Sequence, residues 1–376
     1  MRELQEMRLE IDAIDERLVK LLEERLKVCE EVAEYKVASG KKVLDKQREM
    51  EKLKVLYAMA NSEFNGHCIE ELFSQIMAMS RKMQYQILAE KGMQEKYSFI
   101  PVDILKKENI KVVYQGVEGA YSHQAMIQYF GKAIEAFHVP TWKDAMEEVT
   151  KGNVDYAVVP IENSSAGSVN DIYDLLVEYD TCIVAETFVK VEHALLGLKE
   201  AEISDIQTVY SHPQGLMQCA KFLEGYRQWQ QISQPNTAGS ALRVLKDNDK
   251  TQAAIASEIA GELYGLKVLK PHINDNINNT TRFIIISKNK IYQREAKKLS
   301  ISFEIPHASG TLYNMLSHLI FNNLSMTKIE SRPLEGRNWE YRFFVDLEGN
   351  LGDVSVINAL KGIAEEAIGF RILGNY

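Results

Sequence analysis

The chain has 376 residues, of which 45% are hydrophobic and 26% charged, and its formal net charge is −9. That length exceeds one ordinary core and implies two or three domains of soluble globular type, while the acidic total disfavours nucleic acid as the main partner. The charged start MRELQEMRLEID and the lack of any apolar run of about 18 residues lead us to expect no signal peptide and no membrane span; four scattered cysteines without CxxC spacing suit a reducing, cytoplasmic setting.

Residues 1–90 hold no proline and almost no glycine, and read as helix throughout. In heptads the first helix has the seam Leu4, Met7, Ile11, Ile14, Leu18, Leu21, Arg25, Val28, Val32, Tyr35. A packing seam accounts for every position except Arg25. A guanidinium there needs a neighbouring carboxylate, a route to solvent, or an anionic ligand. Lys36 lies eleven residues on and returns to within about 20° of the same face. After the polar turn SGKK, Asp45, Arg48 and Glu49 share one face of a second helix, and Ser80 and Gln84 form an i, i+4 pair later on. Cations, carboxylates and amides in this mixture suit a small, polyanionic, hydroxylated ligand.

This region resembles the all-helical chorismate mutases over residues 4–86. The resemblance implies binding arginines at Arg8, Arg25 and Arg48, a lysine at Lys36, acidic residues at Asp45 and Glu49, and Ser80 and Gln84 on the last helix. The implied reaction, chorismate to prephenate, is a pericyclic rearrangement that needs no cofactor. A protein speeds it by freezing the dicarboxylate in its reactive shape and stabilising charge on the breaking ether oxygen. The arginines would grip carboxylates, Lys36 and Gln84 would donate to the ether oxygen, and Glu49 would hold the ring hydroxyl. Arg8 and Arg25 stand seventeen residues apart, about 25 Å along one helix. One small ligand cannot touch both on a single chain, so Arg8 is expected from a second copy in a domain-swapped homodimer.

Residues 91–109 are a charged linker. From 110 to 289, short apolar runs (KVVYQ, DYAVVP, TCIVAET, HALLGL, TVY, RFIIIS) alternate with helical patterns, which predicts an α/β region with largely parallel sheets. Polar stretches follow the strands: YQGVEGAYSHQA (114–125), VVPIENSSAGSV (158–169) and TVYSHPQGLMQCA (208–220). Such strand-to-helix turns bind anions through backbone N–H groups, although none has the phosphate-loop or dinucleotide spacing.

With NTTRF (279–283), the blocks PIENSSAG, SHPQ and NTAGSA resemble the prephenate dehydratases. That resemblance implies two lobes of the periplasmic-binding-protein type about a cleft: lobe 1 at about 111–188 plus 267–287, lobe 2 at about 189–266. It places the catalytic threonine at Thr281. Prephenate loses carbon dioxide and hydroxide as its ring becomes aromatic, and hydroxide leaves only with a positioned hydrogen-bond or proton donor. Asn163, Ser211, Gln214, Gln218 and Arg282 are candidate substrate contacts. Glu258 is open between a site acid and a solvated helix face. The first loop departs from the family pattern at Val117 and Ala120.

Residues 298–376 run strand, helix, strand, strand, helix, strand, the ferredoxin-like α+β plan. GTLY (310–313) and ESRP (330–333) resemble the ACT regulatory domains of these dehydratases. The resemblance implies phenylalanine as feedback inhibitor, held between two such domains by Gly310, Thr311, Leu312, Glu330, Ser331 and Arg332. The whole then reads as a multidomain, bifunctional chorismate mutase–prephenate dehydratase. Its partners would be chorismate, prephenate, phenylalanine and a second copy of itself, in a dimer or a higher oligomer, with no metal, cofactor, nucleic acid or membrane. The alternatives are a two-lobed solute-binding regulator and an enzyme that keeps only the mutase activity.

Overall fold

The computed structural model describes residues 2–91, 97–308 and 310–376; part of the linker, residues 92–96, lies outside them. The chain forms two compact units. The first contains residues 1–97 and 297–371. The second contains residues 98–296 and 372–376.

In the first unit, helices α1 (Leu4–Ser39), α2 (Lys46–Ala58) and α3 (Glu63–Glu90) follow one another. Gly40, in the left-handed conformation at φ 67°, ends α1. Asp45 and Ser62 cap α2 and α3 by accepting from the Arg48 and Asn65 backbone N–H groups. The seam of α1 has no cover among the described residues: Leu18 is 54% and Leu21 58% exposed, and Ala33 is the one buried residue of α1. Its partial contacts are with α3, whose second half buries Met77, Ser80, Arg81, Gln84 and Tyr85.

The second unit holds two lobes, each with its own core. The chain runs through β1 (Ile100–Val102), β2 (Lys111–Gln115), α4 (Tyr121–Phe130), β3 (Glu135–Val139), α5 (Trp142–Lys151), β4 (Tyr156–Asn163), β5 (Gly167–Ser168), α6 (Asn170–Glu178) and β6 (Cys182–Lys190). It then passes into β7 (His193–Gly197), β8 (Thr208–Ser211), α7 (Pro213–Gln218), α8 (Ala220–Glu224), β9 (Gln230–Ser233), α9 (Thr237–Asp247), β10 (Gln252–Ser257), α10 (Glu258–Tyr264) and β11 (Lys267–Lys270). It returns as β12 (Thr280–Ser287) and β13 (Ile291–Gln293). The first sheet has the order β6-β12-β4-β2-β3, and the second β11-β7-β10-β8-β9.

Two expectations change here. The sheets are mixed: β2 is parallel to β3 and β4, but β12 runs antiparallel to β4 and β6, and β7 antiparallel to β10 and β11. A strand returning from the other lobe enters from the opposite end, which alternation of strands and helices does not reveal. The return also begins later than residue 267. Lys267–Lys270 pairs with β7, and Val268 and Leu269 pack against the core of the second lobe. Phe283, Ile284, Ile285 and Ile286 are all buried because β12 is central and covered on both faces.

Two segments cross between the lobes, and they bond to each other. Val191 N–H donates to the Asn279 carbonyl at 2.8 Å and Ile273 N–H to the His193 carbonyl at 2.9 Å.

The chain then returns to the first unit as β14 (Lys298–Glu304), α11 (Thr311–Phe321), β15 (Met326–Pro333), β16 (Tyr341–Glu348), α12 (Val354–Glu366) and β17 (Ile368–Asn375), with sheet order β15-β16-β14-β17. This is the strand–helix–strand–strand–helix–strand order read from the sequence. Helices α11 and α12 pack on α3: Lys82 Nζ donates to Ser317 Oγ at 2.7 Å, and Tyr85 Oη donates to Glu365 Oε2 at 2.6 Å. Residues 372–376 end in the second unit, where Gly374 pairs with Ile183. A Cβ at Gly374 would sit 2.0 Å from the Ile183 carbonyl oxygen, so only glycine fits. Among the described residues no helix is long and apolar enough to cross a membrane.

Candidate active sites in two cavities

In the first unit, a cavity of about 480 Å³ lies among α1, α2 and α3. Arg25, Lys36, Asp45, Arg48, Glu49, Ser80 and Gln84 all line it. Arg8 does not; it lies on the exposed N-terminal part of α1. The sequence spacing that separated Arg8 from Arg25 therefore holds within one chain.

Arg25 Nη1 donates to Ser80 Oγ at 2.6 Å, and Ser80 Oγ donates to the Ile76 carbonyl at 2.8 Å. Ser80 thus fixes the guanidinium. Lys36 Nζ donates to the Val43 carbonyl at 2.6 Å and to Gln84 Oε1 at 3.1 Å, which leaves one ammonium N–H for a ligand. Burial pushes the Lys36 pKa below the ordinary lysine value, opposed by Asp45, Glu49 and Glu365. Gln84 accepts from Lys36 and its Nε2 donates to the Ser80 carbonyl at 3.2 Å. That leaves its second Nε2 N–H as a donor for a ligand. Asp45 accepts from the Arg48 N–H as the cap of α2 and so sets where Arg48 and Glu49 stand.

One lining residue escaped sequence reasoning. Arg81, 8% exposed, donates from Nη1 to both Glu49 oxygens at 2.7 and 2.6 Å, and from Nε and Nη2 to Glu366 at 3.1 and 2.9 Å. Its neighbour Ser80 was found through the i, i+4 pairing with Gln84, and Arg81 belongs to no such pair.

In the second unit, a cavity of about 470 Å³ lies between the lobes. Asn163, Gln214, Gln218 and Thr281 line it, together with Tyr121, Trp142, His193, His212 and Asn236. Asn163 and Thr281 are direct partners in the β4–β12 register. Asn163 Oδ1 accepts from the Ser165 and Ala166 N–H groups at 3.0 and 2.9 Å. Those bonds force the amide nitrogen toward β12, where Nδ2 donates to Thr281 Oγ1 at 2.9 Å and to Asn279 Oδ1 at 2.8 Å. Because the Thr281 oxygen already accepts, its own proton is the group it offers to a ligand.

Two expected contacts are elsewhere. Ser211 is fully buried and donates to the Ile255 carbonyl at 2.7 Å, so it braces β8 against β10. Arg282 alternates to the face opposite Thr281, as strand pleating requires. There it donates to Glu186 at 2.7 Å and to the Tyr376 hydroxyl oxygen at 2.8 Å. Glu258 does not line the cavity; it opens α10 in its first turn.

His193 was not anticipated. Its Nε2 is 3.0 Å from Gln218 Oε1 and its Nδ1 is 3.1 Å from Tyr121 Oη, while Tyr121 donates to the Glu192 carbonyl at 2.9 Å. Burial lowers the His193 pKa against the opposing Gln218 hydrogen bond. A lone histidine at the lobe crossing carries no spacing signal.

Of the substituted loop residues, Val117 packs on the core of the second lobe and Ala120 lines the cavity. In the C-terminal module, Thr311 lines a small cavity of about 80 Å³ with His307, Trp339 and Tyr341. Gly310 and Leu312 flank it at the start of α11, and Glu330, Ser331 and Arg332 lie on the edge strand β15, outside that cavity.

Two family models match, and they fall on the two cavities. The chorismate mutase type II model covers residues 7–85, and the prephenate dehydratase model covers residues 112–291. The chain as a whole is 33% identical to the bifunctional chorismate mutase/prephenate dehydratase of Escherichia coli (strain K12), over 98% of this chain and 95% of that protein. It therefore belongs to the bifunctional chorismate mutase/prephenate dehydratases. Among solved structures, the prephenate dehydratase of Arthrobacter aurescens in complex with L-Phe aligns with TM-score 0.65 and 29% identity, covering 71% of this chain and 89% of that one. GqqA, described as a novel type of quorum quenching acylase, aligns with TM-score 0.63 and 31% identity, over 71% of this chain and 97% of that one.

Proposed function

We propose a division of labour within this two-activity enzyme of phenylalanine biosynthesis, with one reaction in each cavity. The domain limits follow: a helical mutase at 1–90, a dehydratase at 110–289 and a regulatory ACT module at 298–376.

In the helical cavity, Arg25 and Arg48 hold the carboxylates of chorismate, and Glu49 accepts from its ring hydroxyl. The ether C–O bond breaks as the new C–C bond forms, and the charge gathering on the ether oxygen meets the remaining N–H of Lys36. Arg8 completes the site from a second copy, whose α1 covers the exposed seam. Nine apolar or aromatic seam positions, all exposed among the described residues, support that reading.

In the cleft between lobes, prephenate loses its ring carboxylate as carbon dioxide. The electron pair left behind moves into the ring and expels the hydroxyl, which leaves as water once it gains a proton. Thr281 donates a hydrogen bond to that departing oxygen, with Gln214 and Gln218 as polar contacts. Phenylalanine, the amino acid bound in the Arthrobacter structure, acts here as the feedback ligand of the C-terminal module.

The observation that carries this reading is the Asn163–Thr281 bond, in which the threonine accepts and so keeps its own proton for a ligand in the cleft. The experiment is to add chorismate to the purified protein and follow prephenate and phenylpyruvate together. Both should form in succession. Prephenate alone removes the dehydratase half, and neither product favours a binding protein.

A further inference from the structure

Three consecutive polar residues of α3 are buried: Ser80, Arg81 and Lys82. Ser80 holds Arg25 and Lys82 reaches Ser317 of α11. Arg81 differs from both, because its guanidinium joins the cavity to the C-terminal module. Its Nη1 faces the Glu49 carboxylate, and its Nε and Nη2 face Glu366 at the end of α12.

The Glu366 end of this chain of charges is itself constrained. Glu366 Oε1 lies 3.1 Å from His318 Nε2, and despite burial His318 and Arg81 hold its carboxyl below the usual carboxylate range. His318 is buried in turn, against Gly362, where a Cβ would come within 2.3 Å of the ring. The residue before Glu366, Glu365, accepts from Tyr85 Oη at 2.6 Å and from the Leu44 N–H at 3.4 Å, in the loop that carries Asp45. The end of α12 therefore grips α3 and the loop before α2 at once.

We propose that Arg81 is a positioning residue of the mutase site: it fixes the Glu49 carboxylate, and Glu366 of α12 fixes Arg81. Glu49 sits half-buried on α2, and among the described residues Arg81 is its side-chain hydrogen-bond partner; without Arg81 its carboxylate is free to rotate toward Lys36 or Arg48, the cations meant for substrate. A two-point clamp by one guanidinium removes that freedom. The clamp is worth most when Arg81 cannot itself swing, which is the part played by Glu366. The mutase geometry then depends on where α12 lies, and a ligand that shifts α12 alters the mutase rate through this contact.

This inference rests on the mutase reading, and the two fail differently. If the unaltered protein forms no prephenate from chorismate, the mutase reading falls first. If it does, Arg81→Met should lower mutase kcat at least tenfold, with a smaller change in KM, and leave the conversion of added prephenate unchanged. Glu49→Gln alone should also lower kcat. In the Glu49→Gln background Arg81→Met should cost less than twofold more, because its route of action is already gone. Should Arg81→Met fail to fold, Glu366→Gln keeps the side-chain shape and carries the same test: a three- to tenfold loss alone, and little further loss with Glu49→Gln. Independent, multiplying losses in these pairs overturn the proposal, as does unchanged mutase kinetics in either variant.

Discussion

Asn163 Nδ2 donates to Thr281 Oγ1 at 2.9 Å across directly paired positions of β4 and β12. The polarity of that bond leaves the threonine with one proton and no acceptor from Asn163. Thr281→Ala should therefore lower phenylpyruvate formation by about a hundredfold or more while sparing the mutase, within the range for loss of a positioned proton donor. Asn163→Asp tests the polarity itself. The new carboxylate accepts the Thr281 proton instead, and dehydratase kcat should fall by at least about tenfold. Dehydratase kinetics with added prephenate check both, and a full-rate Asn163→Asp enzyme would remove the donor role.

Arg25 and Arg8 make a test of assembly. Arg25→Ala and Arg8→Ala should each abolish most mutase activity with the dehydratase intact. If Arg8 serves the partner's site, mixing the two inactive proteins under subunit exchange restores one whole site per mixed dimer, or about a quarter of the unaltered rate in a twofold assembly. No recovery on mixing means that each chain supplies its own Arg8.

Lys36 sets an alkaline limit. Its folded pKa lies below the ordinary value because burial penalises the charged form. In the proposed mutase site the ammonium is the form that would donate to the ether oxygen, so mutase activity should be present below this pKa and lost as pH rises through it. The alkaline limb of mutase kcat/KM, which reports the free enzyme, should fall below pH 10.5, the value from which Lys36 is lowered. For stability the sign is opposite: folding disfavours the charged lysine, so Lys36 opposes folding less as the pH rises through that limb.

Ala120 opens α4 without a side-chain cap. Ala120→Ser supplies one, and a gain of about 1 kcal/mol is expected from such a cap. Thermal unfolding of the dehydratase should shift upward by about 2–4 °C. The same residue lines the cleft, so prephenate KM measured in parallel shows whether the missing hydroxyl also touches substrate.

How much of this was legible beforehand follows from what each signal encodes. Helical periodicity located Arg25, Lys36 and Glu49, because a guanidinium in an apolar seam is visible without a structure. It missed Arg81, whose partner Glu366 lies 285 residues away. The resemblance to the prephenate dehydratases singled out Thr281 and Asn163, which face each other on neighbouring strands. It misjudged Ser211 and Arg282, because a turn block names a place in the chain and not the face on which a side chain leaves it. The mixed sheets were hidden for a related reason: apolar runs reveal strands, and only the crossing of the chain between lobes decides their direction.

The two segments that cross between the lobes lie side by side and bond to each other through Val191, Asn279, His193 and Ile273. Thr281 follows two residues after Asn279, so it stands almost on the axis about which the lobes can swing. A point near a pivot travels little when the arms travel far. An opening of the cleft about these crossings would thus leave the threonine hydroxyl in register with Asn163.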